Sequence, residues 1–139
     1  MIVNRTSPET PDKLRNEILQ STVARTVCEA LDRASTSFEV ITDASGFEAR
    51  AIDPLPSGLP NRARIRVFSP RPGHTLIFFY KKSLVPYSRD RYSYGGVDLK
   101  DGELNPQEIG EWIEFASSGF HPEKRPARLR RAFPYEIPE

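Results

Sequence analysis

The residue types best suited to chemistry are gathered in one stretch, LIFFYKKSLVPYSRDRYSYGG, residues 76 to 96. It holds six aromatic residues and four cations, with a single acid, Asp90, among them. Immediately upstream stand His74 and an alternating run, Arg62, Arg64 and Arg66. A cationic groove with interleaved aromatic faces is what a single-stranded nucleic acid requires, because cations track the phosphates while rings stack on the bases. Tyr80, Tyr87, Tyr92 and Tyr94 interleave with Lys81, Lys82, Arg89 and Arg91, and Arg64, Arg66, Arg128 and Arg131 extend the cationic set. The same residue types serve a protein interface, where tyrosine and arginine are the preferred anchors. A metal-independent ribonuclease asks for more: a proton-transfer group, and cations on the transition-state phosphate. His74 is the weak candidate for proton transfer, with Arg64, Arg66, Tyr80, Lys81 and Arg89 around it. Beside the Pro72-Gly73 turn, however, His74 also reads as a solvated strand-end residue.

Other chemistries lack their residues. With two histidines, one cysteine and no C-x-x-C, H-E-x-x-H or acidic-loop spacing, no metal ligand set is expected. The pair Gly95-Gly96 lacks the G-x-G-x-x-G or Walker pattern, so no nucleotide cradle and no cofactor are expected. Cys28 flanks an apolar helical stripe, where a small buried hydrophobe is the default reading.

The totals bound the rest. A chain of 139 residues is one domain by length, and 28% charged against 37% apolar residues implies a modest core with a wet surface. A single cysteine and no apolar N-terminal run point to a reducing compartment, so the expected location is cytoplasmic. No apolar stretch approaches the ~20 residues that span a bilayer. The net charge of +1 hides a division. Residues 1–58 carry −3, 59–94 carry +7, 95–121 carry −5 and 122–131 carry +4. Such a division suits electrostatic docking on a localised face.

These residues need elements to position them. Thr10-Pro11-Asp12 has the cap, proline and acid of a helix start, and Leu19, Val23, Val27, Ala30 and Ala34 make one face of a helix over 11–34. Leu14 and Ile18 fall nearly opposite, so the first turns carry a second apolar face. The period then changes to two. Phe38, Val40 and Thr42 alternate with Glu39, Ile41 and Asp43; a turn at 43–46 leads to Phe47, Ala49 and Ala51; a proline-rich loop over 53–61 follows. Ala63, Ile65 and Val67 oppose Arg62, Arg64, Arg66 and Phe68. His74 to Lys82 is apolar on both faces in its middle, as a central strand is. A fifth strand over 92–99 carries a bulge signal at Gly95-Gly96. Asn105-Pro106-Gln107-Glu108 starts a second helix striped by Ile109, Trp112, Ile113 and Ala116, with Gly119 as its stop.

The predicted fold is therefore α+β: an N-terminal helix, a four- or five-stranded antiparallel sheet, a second helix on the same face, and an extended proline-rich C-terminal tail. Residues 1–121 form the domain and 122–139 the basic tail, in which Phe133, Tyr135 and Ile137 alternate and are expected to dock on apolar surface near Leu14 and Ile18 or on a partner. In layout alone, a helix followed by an antiparallel sheet resembles small bacterial toxin ribonucleases. Residues 83–94 read as an exposed loop carrying the best binding candidates. The function this supports is a non-enzymatic protein-binding module, such as an immunity factor, an antitoxin or a small assembly subunit. Single-stranded nucleic-acid binding through 59–94 is the alternative, and a ribonuclease-type toxin a further one.

Overall fold

The computed structural model describes residues 2–6, 22–43, 46–71, 74–82, 91–100 and 105–126. The elements are β1 (Ile2–Thr6), α1 (Thr22–Asp32), β2 (Phe38–Asp43), β3 (Gly46–Ala51), β4 (Ala63–Arg71), β5 (His74–Lys82), β6 (Arg91–Lys100), α2 (Pro106–Ser117) and a 3-10 turn (Pro122–Lys124). The strands form one sheet in the order β1-β2-β3-β4-β5-β6. From β2 to β6 it is the five-stranded antiparallel meander that the alternation predicts, and the fold is α+β.

β1 departs from that expectation. It adds a parallel edge strand, with Ile2 opposite Phe38 and Thr6 opposite Thr42. Parallel neighbours need a crossover connection, and here α1 lies within it. The predicted helix began at Pro11; the described helix begins at Thr22, and residues 7–21, with Leu14 and Ile18, lie outside the described residues. The tail beyond Pro126 also lies outside them.

Helix-period apolar residues and strand-period apolar residues meet on one face. Val27 and Leu31 of α1 and Ile109, Trp112 and Ile113 of α2 are fully buried with Phe38, Phe47, Ile65 and Phe79 of the sheet. Each such large side chain contributes about 1.5–3 kcal/mol of apolar burial. The limits of α2 are set locally. Asn105 caps it, its side chain accepting from the backbone N–H groups of Gln107 and Glu108, with Pro106 at the first helical position. At the far end the Gly119 N–H donates to Ala116 and the Phe120 N–H to Phe115, each at 3.0 Å. Gly119 (φ 72) and Phe120 (φ 65) are both left-handed. That conformation is unfavourable for phenylalanine by roughly 1–2 kcal/mol, but it buries the Phe120 ring to 4% exposure.

The glycine pair in β6 does mark a bulge. Phe79 pairs with Gly95 but Tyr80 pairs with Ser93, leaving Tyr94 as the extra residue beside Gly95 at φ 115. A bulge re-aims a side chain, and Tyr94 turns into the helical layer, stacked on Phe120 at 4.2 Å and 9°. The opposite face of the sheet is also closed. Phe68, Leu76, Phe78 and Tyr80, with Arg66, are each at most 7% exposed there.

Candidate functional site

The arginine stripe of β4 lies on that second face. Register places Arg66 between Glu48 and Phe78, and Arg64 between Arg50 and Tyr80. Glu48 is the centre of the cluster. Its carboxylate accepts from Arg50 Nε at 2.7 Å, lies 3.6 Å from Arg64 Nη1, and accepts the Tyr80 hydroxyl. The Arg64 guanidinium is held below its usual value by burial and then by Arg50, with Glu48 and Glu39 opposing. Arg66 is only 3% exposed. Guanidinium suits this setting, because its planar fork shares a carboxylate while its weakly hydrated plane tolerates burial. Arg64 and Tyr80 thus share Glu48 with Arg50, and Arg66 is buried beside them. A polyanion footprint needs cations open to phosphate; Arg64 is turned to Glu48 and Arg66 is closed off from solvent.

The remaining candidates divide by position. Tyr94 packs against Phe115 and Phe120; Lys81 Nζ lies 5.8 Å above the Tyr94 ring; Arg125 Nη1 donates to the Tyr94 carbonyl at 2.5 Å. Tyr94 is therefore a packing element of the helical layer. Lys82, Arg91 and Tyr92 fall within β5 and β6, so 91–94 belong to a strand where a loop was expected. Tyr87, Arg89, Arg128 and Arg131 lie outside the described residues. His74 faces Lys100 in the ladder, and with its proton on Nδ1 it donates to Asp98 Oδ1 at 3.0 Å. A His–Asp pair can orient an imidazole, but proton transfer to phosphate also needs cations at the same place. Arg64 sits ten residues along the hairpin from His74 and pairs with Tyr80, toward the other end of β5. Among the described residues, Arg64, Arg66 and Tyr80 of the expected set lie away from His74, whose ladder partners are Arg71 and Lys100.

A cleft of about 750 Å³ opens elsewhere, where three connections meet the end of α2. Its walls are Ser35 and Thr36 after α1, Asp53 to Ser57 from the β3–β4 loop, Glu114, Ser117 and Ser118 of α2, and His121, Glu123 and Lys124. The loop is a built structure. Gly58 N–H donates to Leu55 and Leu55 N–H to Leu59, both at 2.8 Å, and Gly58 at φ 87 closes the turn. Asp53 accepts from the Ser37 N–H at 3.0 Å, and Glu114 accepts from the Ser35 N–H and hydroxyl at 3.1 and 3.0 Å. Asn61 ties the two walls, donating from Nδ2 to the Ser117 carbonyl at 3.0 Å while Oδ1 accepts from the Ala63 N–H at 3.1 Å.

Two large apolar side chains among the described residues are left open to solvent: Ile52 at 48% and Leu59 at 65%. Both belong to this loop, with Pro54, Pro56 and Pro60, all exposed, between and beside them. The sequence marks the segment as a proline-rich loop and nothing more. The signal that could have found it is an apolar residue on either side of the proline run, with no alternation to bury it. Cys28 is partly buried, and burial pushes its thiol up to about 11. The chain matches no family model, no curated protein and no solved structure.

Proposed function

We propose that the chain is a small non-enzymatic binding protein that works in the cytoplasm and recognises another protein through the Ile52–Pro60 loop and the adjoining cleft. The observation that carries this reading is the solvent exposure of Ile52 and Leu59 on a loop whose backbone is already fixed by hydrogen bonds and prolines. Fixed loops lose little conformational entropy on docking, so apolar area buried there converts into affinity with a smaller penalty. Asp53, Glu114 and Glu123 outnumber Lys124 around the cleft, which favours a partner that presents cations beside its apolar contact. An immunity factor, an antitoxin or a small assembly subunit would all use such a surface. The bonding of Arg64 and Tyr80 to Glu48 and the burial of Arg66 weigh against the nucleic-acid reading of the sheet.

Two measurements test it. The double variant Ile52→Asp/Leu59→Asp should keep its melting temperature, since both side chains are exposed, and should lose the protein that the unmodified chain retains on co-purification. Fluorescence anisotropy with single-stranded and duplex oligonucleotides at two salt concentrations should show no binding. Tight oligonucleotide binding that falls steeply with salt and survives the double variant would overturn the proposal.

A further inference from the structure

Resting on the protein-binding reading, we propose that the cleft is a socket for one arginine side chain of the partner. Its guanidinium is held between Asp53 and Glu114, and its stem lies along Pro54 and Leu55. The starting observation is electrostatic. Both α-helices end here: α1 stops at Asp32, three residues before Ser35 on the cleft wall, and α2 stops at Ser117, which lines it. A helix C-terminus carries roughly half a negative charge and is stabilised by a cation in its last turn. Neither helix has a basic residue there; α1 ends on Asp32 and the last turn of α2 carries Glu114. Asp53 and Glu123 add carboxylates to the walls, against Lys124 and His121. Backbone dipoles and side-chain charges are separate sources of potential, and both make the cleft a place for a cation.

Two of these carboxylates are held from opposite walls by one short turn. Glu114 of α2 accepts the Ser35 N–H, and Asp53 of the β3–β4 loop accepts the Ser37 N–H. The two anchors are two residues apart, so at most about 7 Å separates them. A carboxylate accepts about four hydrogen bonds. Among the described residues Asp53 accepts one and Glu114 two, so both retain acceptor capacity. The apolar wall is fixed as well. A Cβ on Gly119 would fall 2.9 Å from Leu55 Cδ2, so Leu55 is seated on the terminus of α2.

Arginine fits this arrangement better than lysine. Its planar fork of five donors can bridge two carboxylates, and its methylenes pack on apolar surface. A lysine ammonium is a compact, strongly hydrated point charge. The volume of about 750 Å³ lies within the ~300–1,000 Å³ of sites that enclose a drug-sized ligand, so the arginine enters with the chain on either side of it.

The test titrates the isotope-labelled full chain with blocked peptides and follows backbone amide resonances. Acetyl-Leu-Arg-Leu-amide should shift Ser35, Thr36, Ser37, Asp53, Ser117 and Ser118 saturably. The lysine peptide should bind several-fold more weakly and the uncharged citrulline peptide at least about tenfold more weakly, as loss of one charged hydrogen bond requires. Asp53→Asn/Glu114→Gln keeps an acceptor for each N–H and should lose these shifts. The peptide comparison on the unmodified chain stands whatever the stability of that variant. Equal binding of the arginine and citrulline peptides, shifts confined to residues outside the cleft, or no shifts at millimolar peptide would overturn the proposal. Spermidine binding as tightly as the arginine peptide would assign the cleft to a free polyamine and overturn it too. If Ile52→Asp/Leu59→Asp loses a co-purified protein that Asp53→Asn/Glu114→Gln retains, the arginine socket falls and the protein-binding reading stands. If both variants retain it, both fall.

Discussion

Asn61 offers the sharpest test of how the cleft is built. Its side chain is 8% exposed and makes two bonds of opposite sense, donating to the Ser117 carbonyl and accepting from the Ala63 N–H. Asn61→Asp is nearly isosteric and keeps the acceptor. It replaces the donor with a second oxygen aimed at a carbonyl at the C-terminal, negative end of α2. The lost bond costs about 1 kcal/mol, and the Ser117 carbonyl left without its partner about 1–3 more. The expected deficit at neutral pH is therefore about 2–4 kcal/mol, or a melting temperature roughly 8–15 °C lower for a domain of this size.

The deficit has a predicted pH dependence. A protonated carboxyl can donate to Ser117, so the native state favours the proton and the introduced acid titrates above its unfolded value of about 3.9. A group whose folded pKa is raised loses stability as pH rises through that window. The variant should therefore approach the original protein near pH 4 and diverge toward pH 7. Asn61→Ala has no proton to bind and should show the same deficit at both. Calorimetric melts of the three proteins at the two pH values decide it. A pH-independent deficit in Asn61→Asp, or none at pH 7, would refute the assigned bonding.

Other perturbations follow from the same geometry. Glu48→Ala strands Arg50 and Arg64 without their shared carboxylate and should cost about 3 kcal/mol in urea unfolding. Glu48→Gln, which still accepts from Tyr80, should cost less. Gly46→Ala places a Cβ 2.0 Å from the Val67 carbonyl oxygen, so it should prevent β3 and β4 from pairing and yield insoluble or unfolded protein on expression. Gly58→Ala meets nothing within 4 Å and should cost only the left-handed backbone penalty, about 1 kcal/mol by thermal melting. Cys28, its thiol pushed up to about 11, should react with DTNB at pH 8 at least tenfold more slowly in the native than in the urea-unfolded chain. Because that pKa is raised on folding, stability should hold below pH 9 and fall between pH 9 and 11, and Cys28→Ala should flatten the fall.

The meander was legible because its signals are local. Ala63, Ile65 and Val67 against Arg64 and Arg66 define two faces by alternation alone, and the double-sided apolarity of 76–79 marks β5 as internal. The Asn105-Pro106 start of α2 and the bulge at Gly95 rest on single residues with fixed conformational roles. β1 was not legible. Five residues carry no dependable period, and their partner is Phe38–Thr42, across α1 in the chain. The fate of the arginines was hidden for a related reason. Alternation tells which face Arg64 occupies, but only the β3–β4 register shows that Glu48 and Arg50 are its neighbours. The cleft draws on connections far apart in sequence, so no window of residues could announce it.

The +7 balance of residues 59–94 takes on a different meaning once register is known. Arg64 shares Glu48, a residue of the negative N-terminal segment, and Lys81 lies over Tyr94. Part of the charge division along the chain is thus cancelled by pairing across the sheet, Glu48 of β3 against Arg64 of β4. A segment average measures long-range attraction only if its charges remain open to solvent. Here Arg64 and Arg66, two of the eight cations in the segment, are held within the sheet, while exposed apolar groups and carboxylates stand on the loop that leads into β4. Framework and proposed recognition roles fall on different elements: paired and buried cations within the sheet, and a fixed, proline-stiffened loop at its rim, where exchange of the exposed Ile52 and Leu59 should leave the framework untouched.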